Sequence, residues 1–146
     1  MATIIVSGCL LGFDCRYKGD NCGNERILAL AKKHTLIGIC PEQMGGLATP
    51  RDPAEQVNGK VLTKNGADVT MQYTKGAEAA LRLALLNHAD FAILKSRSPS
   101  CGSGIVYDGT FTGTRVPGDG VCAALLKKNG IPVYTEEELD QLPIEE

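Results

Sequence analysis

The sequence has no apolar run approaching the ~20 residues a membrane helix requires, so no span across a bilayer is expected. It also lacks an excess of positive charge: 15 Lys and Arg stand against 17 Asp and Glu, for a formal net charge of -2. A protein that grips phosphate backbones leaves a basic surplus in its composition, so nothing here calls for nucleic acid as a partner. There is no Cys-x-x-Cys pair, the usual spacing of a structural zinc knuckle, which makes structural zinc a poor fit. Histidine is scarce. His34 and His88 each fall at the end of an expected helix, where an imidazole meets the dipole, and a Cys-His hydrolase has no obvious base among them. Before the strand-like run Thr3 to Val6 there is no basic segment, and no small-residue cleavage site follows it. No secretory signal is expected, and a cytoplasmic location is.

What the sequence does have is enough for a core. With 146 residues and a hydrophobic fraction of 43%, the chain is expected to fold as one α/β domain over 1–146. At about this length folding removes roughly 68–70% of the unfolded surface from water, so disulfides are not needed as staples. The six cysteines then point toward metal binding or catalysis rather than cross-links. Cysteine is also a common buried residue that packs as a small hydrophobe, so its position along the chain has to decide.

Thr3-Ile4-Ile5-Val6 is continuous and β-branched, as a strand buried on both faces should be, and Ser7-Gly8-Cys9 follows at its end. A helix from Asn24, a plausible N-cap, to His34 is expected next, and then a second buried strand, Leu36 to Ile39, which Cys40-Pro41 ends. Gly45 to Pro53 reads as a loop. Gln56 to Thr70, with Asn58-Gly59 and Asn65-Gly66, reads as a small hairpin. Met71 to His88 carries a helical stripe at Ala77, Ala80, Leu81, Ala84 and Leu85, and Phe91 to Leu94 is a third strand. The polar loop 95–104 contains Cys101. A hairpin around Asp108-Gly109, a helix capped by Asp119 and running to Lys128, a short strand Ile131 to Tyr134 and a helical turn from Glu136 to Leu142 complete the reading.

Strands alternating with helices predict right-handed crossovers, hence a mostly parallel, Rossmann-like sheet with helices on both faces and small β-hairpin insertions. In such sheets ligands bind beyond the carboxyl ends of the strands, and here three strand exits carry Cys9, Cys40 and Cys101. Cys15 and Cys22 lie in a Gly- and Asp-containing loop, and Cys122 sits early in a helix beside Val121 and Ala123, where a core role is expected. Three dispersed thiolates can hold three irons of a 4Fe-4S cluster and leave the fourth open as a Lewis acid. From the residues alone, a thiol nucleophile or redox pair and inert core cysteines remain alternatives. Arg16, Arg51 and Arg97 fall on loops near the same crevice and suit a phosphate or carboxylate, though loop arginines often only face solvent. Ser98 and Ser100 flank Pro99 beside Cys101, as donors to a bound group or simply as loop caps. Gly102-Ser103-Gly104 is too short a pattern to read as an anion nest.

Several ordered motifs resemble a bacterial family long described as a domain of unknown function, to which the iron-sulfur thiouracil desulfidases belong. They are Ser7-Gly8-Cys9-Leu10-Leu11-Gly12 with Arg16-Tyr17, Cys40-Pro41-Glu42 with Gly45-Gly46-Leu47 and Thr49-Pro50-Arg51, Ser98-Pro99-Ser100-Cys101-Gly102 with Tyr107 to Phe111, and Gly118-Asp119-Gly120-Val121. The resemblance spans nearly the whole chain. It implies a 4Fe-4S cluster with three protein ligands, Cys9, Cys40 and Cys101, and one open iron that takes the sulfur of a small thiolated substrate. Desulfidation of that kind needs no net redox change, and a group must move the proton of the attacking water. Glu42, Ser98 and Ser100 are the nearest candidates, with Glu42 preferred. Two positions depart from the family pattern: Gln43-Met44 stands where an acidic residue is usual, and Lys18 follows Arg16-Tyr17 in place of an acid. The competing function is a non-catalytic iron-sulfur module that binds a partner or senses oxidants, and a third class is a structural or storage protein with inert cysteines.

Overall fold

A computed structural model of the chain describes residues 1–145. Strand β1 (Thr3–Ser7) leads through helix α1 (Glu25–Ala29) to β2 (Thr35–Ile39), and the short helix α2 (Pro41–Met44) follows at once. A hairpin, β3 (Ala54–Val57) and β4 (Lys60–Thr63), precedes the long helix α3 (Thr70–Leu86) and strand β5 (Phe91–Leu94). A second hairpin, β6 (Ile105–Tyr107) and β7 (Arg115–Pro117), is followed by helix α4 (Val121–Lys128) and strand β8 (Val133–Thr135). The main sheet is four-stranded in the order β2-β1-β5-β8, and every pair in it is parallel.

Side-chain alternation divides the core into two layers. Ile4 and Val6 of β1, with Phe91 and Ile93 of β5, face Ile27 and Leu30 and the C-terminal residues Leu139 and Leu142. Ile5, Ala92 and Leu94 face the other way, onto Ala77, Ala80 and Ala84 of α3 and Cys122, Ala123 and Leu126 of α4. All but one of the β1 and β5 positions in these layers are 0% exposed, the exception being Phe91 at 1%, and each of these side chains larger than Ala92 contributes about 1.5–3 kcal/mol by leaving water. Helices therefore cover both faces, as the alternation of strands and helices predicts. Cys122 is fully buried in the second layer, the core role expected of it.

The smaller elements differ from the reading in places. The helix from Asn24 is capped as expected, its side chain accepting the Ile27 N–H at 3.1 Å, but it becomes a 3-10 turn at Leu30–Lys32. Asn58 and Gly59, at φ 50 and 80, make the tight turn of the first hairpin, as Asn-Gly favours. Asp108-Gly109 only opens the second hairpin's loop, which runs to Thr114. Asp119 does not cap α4: Gly120 holds the N-cap position, and the Asp119 carboxylate instead accepts from the Gly104 N–H and Lys127 Nζ. A capping box at Thr135 and Glu138 fixes the final 3-10 turn, Glu136–Gln141.

Candidate metal centre

Because all four strands of the main sheet run the same way, their carboxyl ends share one edge, and the order β2-β1-β5 places the topological switch beside β1. Cys9 sits in the 3-10 turn Gly8–Leu11 directly after β1. Cys40 sits at the N-cap of α2 directly after β2. Cys101 lies in the loop after β5. All three line a single cavity of about 490 Å³, and all are free thiols.

Close backbone packing fixes two of these positions. Gly45 and Gly76 let α2 and α3 meet without side chains: a Cβ on Gly45 would stand 1.9 Å from the Gln72 carbonyl oxygen. The Cys101 loop is gripped by the start of α4, where Val121 N–H donates to the Pro99 carbonyl at 2.9 Å and Cys122 N–H donates to the Ser100 carbonyl at 2.8 Å. Gly120 is needed there, since a Cβ would meet the Ser100 carbonyl at 2.4 Å. From within the loop, Ser98 Oγ accepts the N–H groups of Ser100 and Cys101 at 3.1 and 3.0 Å.

The cavity wall is polar. Glu42 reaches across with both carboxylate oxygens, one accepting from Arg51 Nη2 and the other from the Tyr73 hydroxyl. Arg51 also donates to the Cys15 carbonyl at 2.8 Å and to Thr49 Oγ1 at 2.8 Å, so its guanidinium ties three chain segments together. Burial, then the charge of Glu42, pushes the Tyr73 phenol far above its ordinary value, so it stays a proton donor. Ser7 accepts the Lys95 N–H at 2.9 Å, and its hydroxyl lies on the Cys101 side of the cavity wall. Burial, then the neighbouring Cys122, raises the Cys101 thiol well above the usual range. Among the described residues, the buried Ser100 Oγ and Arg51 Nε in this wall have no hydrogen-bond partner.

The other expected residues take distinct places. Arg16 and Arg97 line the same cavity, paired with Asp20 at 3.2 Å and Glu137 at 2.9 Å. Ser98 and Ser100 are there as well. Cys22 does not line the cavity, whereas Cys15 does. Phe111 and Tyr107 approach from the second hairpin, whose loop is held by Glu55 Oε1 accepting the Gly109 and Phe111 N–H groups at 2.9 and 3.2 Å. Neither Tyr73 nor Glu55 is anticipated from the sequence. Tyr73 reads as one more residue of a helix, and nothing in its neighbours shows that its hydroxyl meets Glu42.

A family model described as 2-thiouracil desulfurase matches residues 4–138. This chain belongs to the 2-thiouracil desulfurase family. A curated relative, the uncharacterized protein YbbK of Bacillus subtilis (strain 168), is 44% identical over 149 residues, covering 95% of this chain and 99% of its own. Among solved structures, the [4Fe-4S]-dependent thiouracil desulfidase TudS superposes with a TM-score of 0.92 at 44% identity, over 97% of this chain and 95% of that one. The family places the chain among desulfidases, which are enzymes, and its expected substrate is a small thiolated molecule. No helix of the described residues is long and apolar enough to cross a membrane.

Proposed function

We propose that this chain holds a 4Fe-4S cluster on Cys9, Cys40 and Cys101 and uses it to remove sulfur from a thiolated pyrimidine base, nucleotide or similar small molecule. The net reaction exchanges a C=S for a C=O, consuming one water and releasing one hydrogen sulfide, with no net redox change. The observation that carries this reading is the meeting of three free thiols, from three separate strand exits, around one cavity. The donor set fits the group. Soft thiolates are what iron-sulfur clusters take, and the unpartnered, buried Ser100 hydroxyl offers a hydrogen bond to something the protein itself does not supply.

When bound, the cluster would supply a Lewis-acidic iron, the one without a cysteine, to polarise the carbon-sulfur bond. The chain's own residues do the rest. Glu42 takes the proton of the attacking water: each of its oxygens already accepts one hydrogen bond, and a carboxylate oxygen has capacity for another. The Ser98 oxygen is occupied by two backbone N–H groups, which leaves its hydroxyl proton to donate toward the departing sulfur. Arg16 and Arg97, at the wall with one carboxylate partner each, suit an anionic group on the substrate. Arg51 is more constrained, with Nε its remaining donor toward a ligand.

A second reading, a non-catalytic iron-sulfur module, is favoured by Gln43-Met44, since a thioether cannot carry a proton. Sulfide release separates the two. Anaerobically reconstituted protein is expected to release hydrogen sulfide from 2-thiouracil or a thiouridine phosphate, with uracil or the uridine phosphate accumulating in equal amount. Reconstituted protein that carries its iron but yields no sulfide from any of these would contradict the desulfidase reading and favour the second.

A further inference from the structure

The largely exposed loop between β6 and β7 is held at a cost that its position does not explain. Phe111 within it takes φ 58, a left-handed backbone that an aromatic residue adopts only when its surroundings enforce it. The enforcement comes from Glu55 of β3, 9% exposed, whose Oε1 accepts the Gly109 and Phe111 N–H groups. Gly109 packs on the same strand: a Cβ there would meet the Gln56 carbonyl oxygen at 2.6 Å. Within the loop, Asp108 Oδ1 accepts the Thr110 N–H at 2.9 Å, and the Asp108 N–H donates to the Thr114 carbonyl at 3.0 Å. Next to Glu55, Gln56 Nε2 donates to the carbonyls of Pro99 and Asp119 at 3.1 and 2.9 Å, so β3 holds the Cys101 loop as well. One strand thus fixes Phe111 relative to Cys101. Phe111 is half-buried, belongs to none of the three apolar clusters of the described residues, and lines the cavity together with Cys9, Cys40 and Cys101.

We propose that Phe111 is a specificity-determining residue whose ring stacks on the substrate, so that the site takes planar, unsaturated thiolated heterocycles and discriminates against saturated rings that carry the same polar groups. The inference rests on the function proposed above and narrows its substrate class. A purely structural role is a poor account of the ring: a side chain that only closed the loop would join a core cluster and would need no unfavourable backbone to reach a cavity wall. A preset aromatic face suits a flat base, because stacking tolerates differences among ring substituents and little freedom is lost when the side chain is already fixed. A pyrimidine carries its polar atoms at its edge, which leaves its two faces for contact of this kind. Uracil and dihydrouracil share that edge of N–H and C=O groups. Only the flat, conjugated face separates them.

The test is the dissociation constant of uracil, the unreactive product of 2-thiouracil, and of dihydrouracil, measured by calorimetric titration of the reconstituted parent, Phe111→Leu and Phe111→Tyr. The parent should bind uracil roughly three- to tenfold more tightly than dihydrouracil, the scale of one aromatic contact. Phe111→Leu keeps apolar bulk under the same backbone demand and should abolish that preference; Phe111→Tyr keeps the aromatic face and should restore it. A leucine variant that weakens both ligands alike, leaving their ratio as in the parent, overturns the proposal and makes Phe111 a structural residue. Equal binding of the two ligands by the parent, or binding of neither, overturns it too. A parent that prefers uracil through Phe111 yet releases no sulfide from 2-thiouracil overturns only the desulfidase reading. A parent that releases sulfide while the leucine variant keeps the full preference overturns only this inference.

Discussion

Gly76 in α3 and Pro41 in α2 approach so closely that a Cβ on Gly76 would lie 1.7 Å from the Pro41 carbonyl oxygen. That contact seats the segment Cys40-Pro41-Glu42, with one proposed ligand and the proposed base, against the longest helix of the fold. Gly76→Ala should therefore push α2 away from α3. Overpacking of this kind costs about 1–3 kcal/mol, and the variant should also lose reconstituted iron faster than the parent. Urea unfolding and iron release to a chelator check both; unchanged values would show that α2 yields without consequence.

Tyr73→Phe removes the donor to one Glu42 oxygen while keeping the ring in the small cluster with Val61 and Val69. Glu42 is half-buried, so losing this hydrogen bond should cost about 1 kcal/mol. Sulfide release should fall while iron content stays at the parent level. A variant with full activity would place the proton transfer elsewhere.

Glu42→Ala removes the carboxylate opposite Arg51, whose side chain is 7% exposed. An ion left unpaired in such a place costs about 3–5 kcal/mol, so this variant should be poorly folded. Glu42→Gln keeps the shape and should fold better yet release no sulfide. Thermal unfolding of the two, side by side, separates the structural share of Glu42 from the chemical one.

Acid should loosen the loop after β5. Glu136 accepts from Lys95 Nζ at 2.6 Å, Ser96 N–H at 2.8 Å and Ser96 Oγ at 2.9 Å. Burial raises the Glu136 carboxyl, but the Lys95 and Ser96 hydrogen bonds outweigh it and hold the group below its ordinary value. Since the folded value lies below that of the unfolded chain, about 4.3, the stabilisation is complete above that pH and is lost as pH falls through the folded value. The measurement is unfolding free energy against pH for the parent and Glu136→Gln. The difference between them should shrink below pH ~4; a constant difference would contradict the assignment.

The parallel sheet was legible because its two central strands are buried on both faces: Ile4, Ile5 and Val6, and Phe91 to Leu94, are apolar without interruption, and such runs leave little choice of partner layer; β2, read as equally buried, is instead an edge strand with Thr35 and Gly38 exposed. The convergence of Cys9 and Cys40 followed from that topology, since both lie next to strand ends, whereas Cys101 lies farther along the loop after β5 and is brought in by the start of α4. What sequence does not carry is contact across the cavity. Cys15 is six residues from Cys9 and lies in an irregular loop, so nothing local shows that its carbonyl accepts the Cys40 thiol. Tyr73 reaches Glu42 only because glycines at 45 and 76 bring their helices together. Asp119, a reasonable cap by residue type, is drawn off by Lys127 and the Gly104 N–H. Side-chain partners of this kind are set by tertiary packing, which residue periodicity does not encode.

The most direct test of the account is iron and acid-labile sulfide per chain in protein prepared without oxygen, for the parent and for Cys9→Ser, Cys40→Ser and Cys101→Ser. The account predicts about four irons and four sulfides in the parent and a severe loss in each single variant. Parent protein that takes up no iron on reconstitution, or iron content indifferent to the three substitutions, would contradict it and return these cysteines to thiol chemistry or core packing.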